Sequence, residues 1–449
     1  MYLFRRLKNM KLFIRGISFL IITAFFGECL EFVINMILAR ELGEHGMGIY
    51  MSILPSIFLI AIIASLELPV SLSKFIAEKE VVYHRNILSQ VWKLTIVFTC
   101  IFLLAATALY SVFPFLAEYH PGVRWLTLLL IPIISFSSIA RGYFMGVHHM
   151  GKIAAANFLR KIAQLILLVI VYQLFSFEVN IAIIIALCTF IASEGVVFLY
   201  FMQAYVLSVR SFKKTSSKPA DKTEVGRALL SVSFPTTVLR IFHAVTHAIQ
   251  PFLIKAALLH AGMTEISATE HFGVLAGIAL TIGFFPAFIA HSLLIALIPI
   301  VSEKVSKNDI KGIHSILRQV VWITLGYGTP AVLVFYFWGE ELTNIFFHST
   351  SASYYLKLLW PYFFFHFFVM PLQAFMIGFG LIKDALYHTI WATVVSFSLI
   401  YFLGSLPQFG MAGVLIGMNT GAVLLTLLHY NTVCSRLGLT FWFKSAVRM

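Results

Sequence analysis

Stretches of about 20 apolar residues recur along the whole chain, each the length that crosses a ~30 Å hydrocarbon layer. Twelve such spans can be read, at approximately 14–39, 47–73, 91–116, 124–145, 153–175, 181–207, 228–254, 270–300, 318–338, 353–378, 384–404 and 410–433. A water-soluble domain has no interior large enough to hide them, because 60% of the 449 residues are hydrophobic and only 11% charged. The sequence therefore specifies an all-α polytopic membrane protein. Its start, "MYLFRRLKNMKLFIR", is basic like a secretory leader. The apolar segment that follows is too long for one, and no small-residue cleavage site precedes Glu28, so the first span is expected to remain. Cys29, Cys100, Cys188 and Cys434 all fall in apolar runs without disulfide or metal-ligand spacing, and are expected to be small core residues.

The net charge of +13 could suggest nucleic acid, but its placement argues otherwise. With the amino terminus inside, 27 of the 32 Lys and Arg residues lie in or beside inner segments, while the outer loops hold Arg40, Arg124, Lys255 and Lys357. That asymmetry is the positive-inside signature, and it puts both termini in the cytoplasm. Anionic lipid headgroups are the expected partners of the basic loops; nucleic acid is not.

"RSFKKTSSKPADKTEVGR" (210–227) is the one long polar linker, and six spans lie on either side of it. The two sides echo each other. Ile87-Leu88-Ser89-Gln90-Val91 resembles Ile316-Leu317-Arg318-Gln319-Val320, and Ser73/Ser302 and Pro132/Pro361 keep the same offset. "YFMG" (143–146) is echoed by "FMIG" (375–378). A duplication of six spans returns the chain to the same side of the membrane, so the two copies are parallel, pseudo-symmetric lobes. The expected division is an N-lobe at 1–209, the linker at 210–227 and a C-lobe at 228–449. Each second span carries two prolines, Pro55/Pro69 and Pro286/Pro299, which should bend it. These are candidate hinges, and a static kink would leave the same trace.

Charge inside a span is costly, so its facing is informative. Glu28, Glu31 and Asn35 share one face of span 1 at i, i+3, i+7; Arg240, His243, His247 and Gln250 share one face of span 7. Both stripes are expected to face the seam between lobes and to touch substrate or a coupling ion; a structural ion pair to Arg240 is the alternative. Glu194, in "IASEGVV", would extend the acidic lining or cap a neighbour. Arg160 and Lys161 are expected to snorkel to the inner interface. His291 and His366 are expected to be hydrogen-bonded core residues. Gln164 is expected to pack between helices, and most of the 44 phenylalanines to face lipid. No nucleotide-binding lysine loop, nucleophile elbow or metal-spaced cluster is present, so neither an enzyme nor a resident cofactor is expected. Coupling to H+ or Na+ remains open.

The segment Ile37–Tyr50, "ILARELGEHGMGIY", interrupts the apolar pattern. Gly43 is expected to end span 1 as a helix cap, with Glu44 and His45 in water and Gly46 and Gly48 permitting close helix contact. Its pattern, Leu38-Ala39-Arg40-x-Leu42-Gly43-x-x-Gly46-x-Gly48-x-Tyr50, resembles the signature after the first helix of polysaccharide exporters. These belong to the multidrug/oligosaccharidyl-lipid/polysaccharide (MOP) exporter superfamily, and the stage V sporulation protein B-like branch is most similar. "LPVSLSKFIAE" (68–78), "ARGYFMG" (140–146), "HHMGKIAAANFLRKIAQ" (148–164) and "IALIPIVSEK" (295–304) resemble that branch too. The resemblance implies a twelve-helix, V-shaped transporter that moves lipid-linked oligosaccharide or cell-wall precursors outward by alternating access, with a place in spore envelope formation. It also implies a cationic cavity for a pyrophosphate-linked lipid, which suits Arg240, His243 and His247. The chain departs from the family where Asn35 replaces a common arginine and Glu28 and Glu31 are added. Those acids favour the alternative of a cation- or proton-coupled exporter of small amphipathic molecules. A third reading is a non-transporting scaffold that recruits envelope-synthesis proteins through the 210–227 linker.

Overall fold

The structure is a computed structural model that describes residues 2–65, 68–112, 120–210 and 234–439. Residues 211–227 of the expected linker lie outside the described residues. The first helix, α1 (Tyr2–Ser65), has 64 residues. At 1.5 Å per residue it would reach about 96 Å, far more than one crossing needs. Gly43 divides it, at φ 64° and ψ −179°, a conformation open essentially to glycine alone.

After α2 (Leu68–Glu78) and α3 (Val81–Val112) come α4 (Gly122–Gly146), α5 (Met150–Leu174) and α6 (Val179–Arg210). Then follow α7 (Phe234–His260), α8 (Glu265–Gly273), a π-helical segment Val274–Ala279, α9 (Leu280–Phe284) and a 3-10 turn Phe285–Ala287. The chain continues through α10 (Phe288–Ser306), α11 (Ile310–Phe337), α12 (Gly339–Phe347) and α13 (Ala352–Leu358). It ends with α14 (Trp360–Gly378), α15 (Ile382–Gly404) and α16 (Met411–Arg436). Among the described residues, eleven helical stretches are long and apolar enough to cross a membrane. The first of them, Ala24–Ala77, overlaps two of the expected spans and each other stretch overlaps one, so all twelve have a counterpart. The protein is an all-α polytopic membrane protein.

By contact the chain forms two compact units, one of Met1–Gly48 with Gln250–Met449 and the other of Ile49–Ile249. This is a different division from 1–209 and 228–449. The stretch before Ile49 groups with the later helices, and α7 changes unit at Gln250.

The core of the 49–249 unit is built where α2 meets α4. Gly142 and Gly146, one helical turn apart, admit the α2 backbone: a Cβ on Gly142 would lie 2.9 Å from the Leu68 carbonyl oxygen, and one on Gly146 2.8 Å from that of Ser73. Around this contact cluster Leu72, Ile76, Leu88, Val91, Phe144 and Phe201, all buried. The other unit repeats the arrangement. A Cβ on Gly378 of α14 would meet the Val301 side chain of α10 at 2.7 Å, and Leu317, Val320 and Phe375 close the cluster. Ser302 donates to the Gly378 carbonyl at 3.3 Å. The sequence echoes at 87–91/316–320 and 143–146/375–378 thus do the same packing work in both units.

The four prolines behave differently from one another. Pro55 and Pro299 lie inside continuous helices. Pro69 is the second residue of α2, and Pro286 occupies the 3-10 turn between α9 and α10. Only the last two coincide with the start or interruption of a helix.

The expectation of core cysteines is corrected: Cys434 is buried and Cys29 half-buried, but Cys100 and Cys188 are exposed, and all four are free thiols. The phenylalanine expectation is also too simple, since Phe144, Phe201, Phe363, Phe367 and Phe375 are among the largest fully buried side chains.

Candidate functional site

The strongest concentration of charge within the membrane helices lies in the 49–249 unit. Glu194 is the sixteenth of 32 residues in α6, close to its middle, and Arg160 is the eleventh of 25 in α5. Arg160 Nε stands 3.6 Å from Glu194 Oε1, with side-chain exposures of 23% and 14%. Arg160 therefore does not snorkel as expected. It is about 15 Å along its helix from Met150, and a partly buried carboxylate holds it. Its guanidinium also lies 6.0 Å from the centre of the Phe190 ring.

Arg141, five residues before the end of α4, joins this pair. Its Nη2 donates to Asn157 Oδ1 of α5 at 3.2 Å, and its guanidinium lies 5.6 Å from the Phe201 ring centre. It is within electrostatic reach of Glu194, Arg160 and Arg240. Arg141, Arg160 and Glu194 are thus gathered from α4, α5 and α6, with Arg240 of α7 in electrostatic reach of Arg141. Sequence reasoning found Glu194 and Arg240 but missed Arg141, Asn157 and the pairing role of Arg160. The available signal was that Arg141 and Arg160 each sit inside a helix apolar enough to cross the membrane.

The other predicted residues distribute as follows. Arg240 and His247 are exposed on α7 and His243 is half-buried; all three belong to the 49–249 unit. Glu28, Glu31, Asn35 and Gln250 are half-buried and belong to the other unit. His291 is exposed and not a core residue, although its Nδ1 is 3.0 Å from the Ala287 carbonyl oxygen. His366 lies among aromatic rings, with its centre 4.9 Å from that of Phe284. Gln164 is buried, and its Oε1 has no hydrogen-bond partner.

Within the unit of Met1–Gly48 and Gln250–Met449, Arg40 and its following residues form a clamp. Arg40 donates from Nε to the Phe346 carbonyl and from Nη2 to the Ile345 carbonyl, each at 2.9 Å. Those are terminal carbonyls of α12, which lack intrahelical donors and favour a cation. Glu44 Oε1 accepts hydroxyl hydrogens from Ser349 at 2.8 Å and Ser351 at 2.7 Å. A Cβ on Gly48 would lie 2.0 Å from the Thr269 carbonyl oxygen, and one on Gly273 2.2 Å from that of Glu44. Glu44 is exposed, as expected, and also serves as a hydrogen-bond anchor; the expectation is corrected for His45, which is half-buried with its Nδ1 buried and without a partner. Nearby, His271 Nδ1 and Tyr355 Oη are 2.5 Å apart. Burial first, and the Glu44 carboxylate second, push the Tyr355 phenol above its ordinary value.

The same unit holds an apolar cavity of about 380 Å³, lined by residues that include Cys29, Phe32, Phe285, Pro286, Phe335 and Phe346. Among the described residues no group of three or more His, Cys, Asp or Glu side chains is placed to hold a metal ion.

Residues 13–305 match the family model described as "Polysaccharide biosynthesis protein", and residues 274–402 match that described as "MatE". Among curated proteins, the chain is 50% identical to "Sporulation protein YkvU" of Bacillus subtilis (strain 168), over 98% of this chain and 99% of that protein. It is 28% identical to "Stage V sporulation protein B" of the same organism, over 96% and 85%. Among solved structures, it superposes with a TM-score of 0.72 on the inward-facing conformation of a multidrug resistance MATE family transporter of the MOP superfamily. That match has 17% identity and covers 92% of this chain and 94% of the other.

Proposed function

Because the chain belongs to the polysaccharide biosynthesis protein family of the MOP exporter superfamily, and so is a multi-pass membrane transporter, we propose that it flips a lipid-linked oligosaccharide or cell-wall precursor across a bacterial plasma membrane. The observation that carries this reading is the group Arg141, Arg160, Arg240 and Glu194. Arginines placed inside helices that cross the membrane are expensive and mark a substrate path. A diphosphate headgroup, which must shed water to cross, is the kind of anion that guanidiniums replace water for, by paired charge-assisted hydrogen bonds. Phe190 and Phe201 beneath Arg160 and Arg141 hold the guanidinium planes without neutralising them. The activity is transport, with no covalent chemistry and no resident cofactor.

The test is translocation of a labelled, diphosphate-linked glycolipid in proteoliposomes. Arg141→Gln and Arg240→Ala are each expected to slow it by roughly 10- to 100-fold, the scale of one or two charge-assisted hydrogen bonds. Membrane abundance should be unchanged. Wild-type rates in both variants would remove the cationic-site reading.

The 380 Å³ apolar cavity, one of whose lining residues adjoins Glu28, favours a second reading: cation-coupled export of small amphipathic molecules. Glu28→Gln should then abolish the dependence of such export on an ion gradient. Persistence of that dependence in the variant counts against it.

A further inference from the structure

A second group of titratable side chains lies away from the arginines, between α15 and α16. His388 Nδ1 and His429 Nδ1 are 3.1 Å apart, and the two ring centres are separated by 5.2 Å. His429 is 1% exposed and His388 is half-buried. On the far side of His388, Nε2 makes a longer contact of 3.4 Å with Thr432 Oγ1. Neither ring has a part in the transport reading given above, and among the described residues no third protein ligand is placed to make the pair a metal site. We propose that His388 and His429 form a binding site for a single proton, through which pH acts on transport; the second clause rests on the transporter reading, the first does not.

The geometry dictates the stoichiometry. Two Nδ1 atoms in hydrogen-bond contact need one hydrogen between them, so in the neutral pair one ring carries its hydrogen on Nδ1 and the other on Nε2. If His388 carries it on Nδ1, its bare Nε2 accepts from the Thr432 hydroxyl. If His429 carries it, His388 donates to Thr432 through Nε2–H. Either way Thr432, His388 and His429 form one hydrogen-bonded chain. One further proton converts the contact into an imidazolium donating to an imidazole, a charge-assisted bond. A second would leave two like charges at 3.1 Å and no acceptor between them. The pair therefore takes one proton and refuses the next, as a carboxylate dyad does.

The surroundings fit a proton and little else. Asp384, one turn earlier on α15, lies within electrostatic reach of His388. Lys383 and Arg436, at the helix ends, are exposed. On α16 the neighbouring titratable groups are Tyr430 and Cys434, which interact with each other. On α14 the residues in the adjoining core are Phe368, Leu372 and Phe375, while its titratable Tyr362 and His366 contact Phe284 instead. From α11, His314 Nε2 reaches the Leu437 carbonyl at 3.2 Å, beyond the end of α16. His388 and His429 lie about 9–11 Å along their helices from Ile382 and Arg436, with Asp384 and Thr432 nearer those ends. A proton reaching the pair from that end passes a carboxylate or a hydroxyl first.

The experiment is a titration of the full-length protein in lipid nanodiscs, with histidine 15N resonances followed from about pH 9 to about pH 4. The pair is assigned by difference from His388→Gln and, independently, His429→Gln. The expected result is one proton taken up by two rings together, with both reporting a shared, partly protonated state at the acid end. Removing either ring should leave the other titrating alone as an ordinary imidazole. Two independent protonations, or two rings neutral throughout, overturn the site. Either variant alone assigns the pair, so the site is decided even if the other fails to fold. Glycolipid translocation measured over the same pH range should change with the pair's protonation in the wild type and lose that component in His388→Gln. A wild-type profile that the variant reproduces overturns the link to transport. Absence of translocation at every pH would count against the proposed function and leave the proton result standing.

Discussion

Glu194 pairs with Arg160, and its removal separates two roles for the group. The Arg160–Glu194 contact is partly shielded on both sides. Breaking such a pair strands a charge, whereas replacing both members with apolar groups of similar volume is often neutral. Glu194→Gln is therefore expected to lower stability by about 1–3 kcal/mol, and Arg160→Met with Glu194→Met together to cost less than Glu194→Gln alone. Thermal unfolding of the purified protein in a fixed detergent measures both. A double variant no better than the single one would show that the arginine is held by something other than this carboxylate. The sequence displayed Glu194 because an acid amid "IASEGVV" has no apolar excuse, but it did not display the partner. Positions 160 and 194 are brought together by the packing of α5 on α6, and no local pattern encodes a contact across 34 residues.

At the scale of elements, the segment from Arg40 to Gly48 shows what a motif read as a turn is for. Its glycines were legible as a break in the helix; that they seat the break against α8 and α12, more than 200 residues on, was not. The π-helical turn at Val274–Ala279 was invisible for a related reason. "VLAGIA" is ordinary helix sequence, and the turn sits where Gly273 and Gly277 crowd Glu44, Met47 and Gly48. Two substitutions separate conformation from contact. Gly43 has open space around it, so Gly43→Ala should cost only backbone strain, about 1–3 kcal/mol. Gly48→Ala keeps an accessible backbone but drives a methyl group into the Thr269 carbonyl, which has no flexible end to yield, and should lower the unfolding temperature as well. If Gly48→Ala leaves that temperature unchanged, the close seating of this segment is not what holds it. The same region carries an alkaline signature. Tyr355 has its phenol raised, so the folded state keeps a proton that the unfolded state releases above the ordinary value of 10.0. The stability linked to this group is complete below pH 10.0 and declines as pH rises from there through the folded-state value. Tyr355→Phe should remove that part of the decline, as read from unfolding temperatures across the alkaline range.

For the whole molecule, hydropathy made the crossings readable, and the sequence echoes marked where each unit packs its core. The grouping by contact was not readable, because Gly48 and Thr269 are joined by shape and not by any shared pattern. What hydropathy cannot assign is direction, and here the cations make a commitment. If the basic segments face inward, the short loop Phe379–Leu381 before Lys383 is cytoplasmic and the loop Ser405–Gly410 between α15 and α16 is external. A green fluorescent protein fused after Met449 should therefore fluoresce, and alkaline phosphatase inserted at 405–410 should be active. The same phosphatase inserted at 379–381 should be silent. Lys383, Arg436, Lys444 and Arg448 are the nearest basic residues holding that end inside. Because orientation follows the sum over all loops, replacing these four with glutamine should leave the reporters unchanged while the amino-terminal cluster Arg5, Arg6, Lys8, Lys11 and Arg15 remains. Reversed reporters in the wild type would put the basic surface outside, and with it every assignment of which membrane face feeds the arginines of the 49–249 unit.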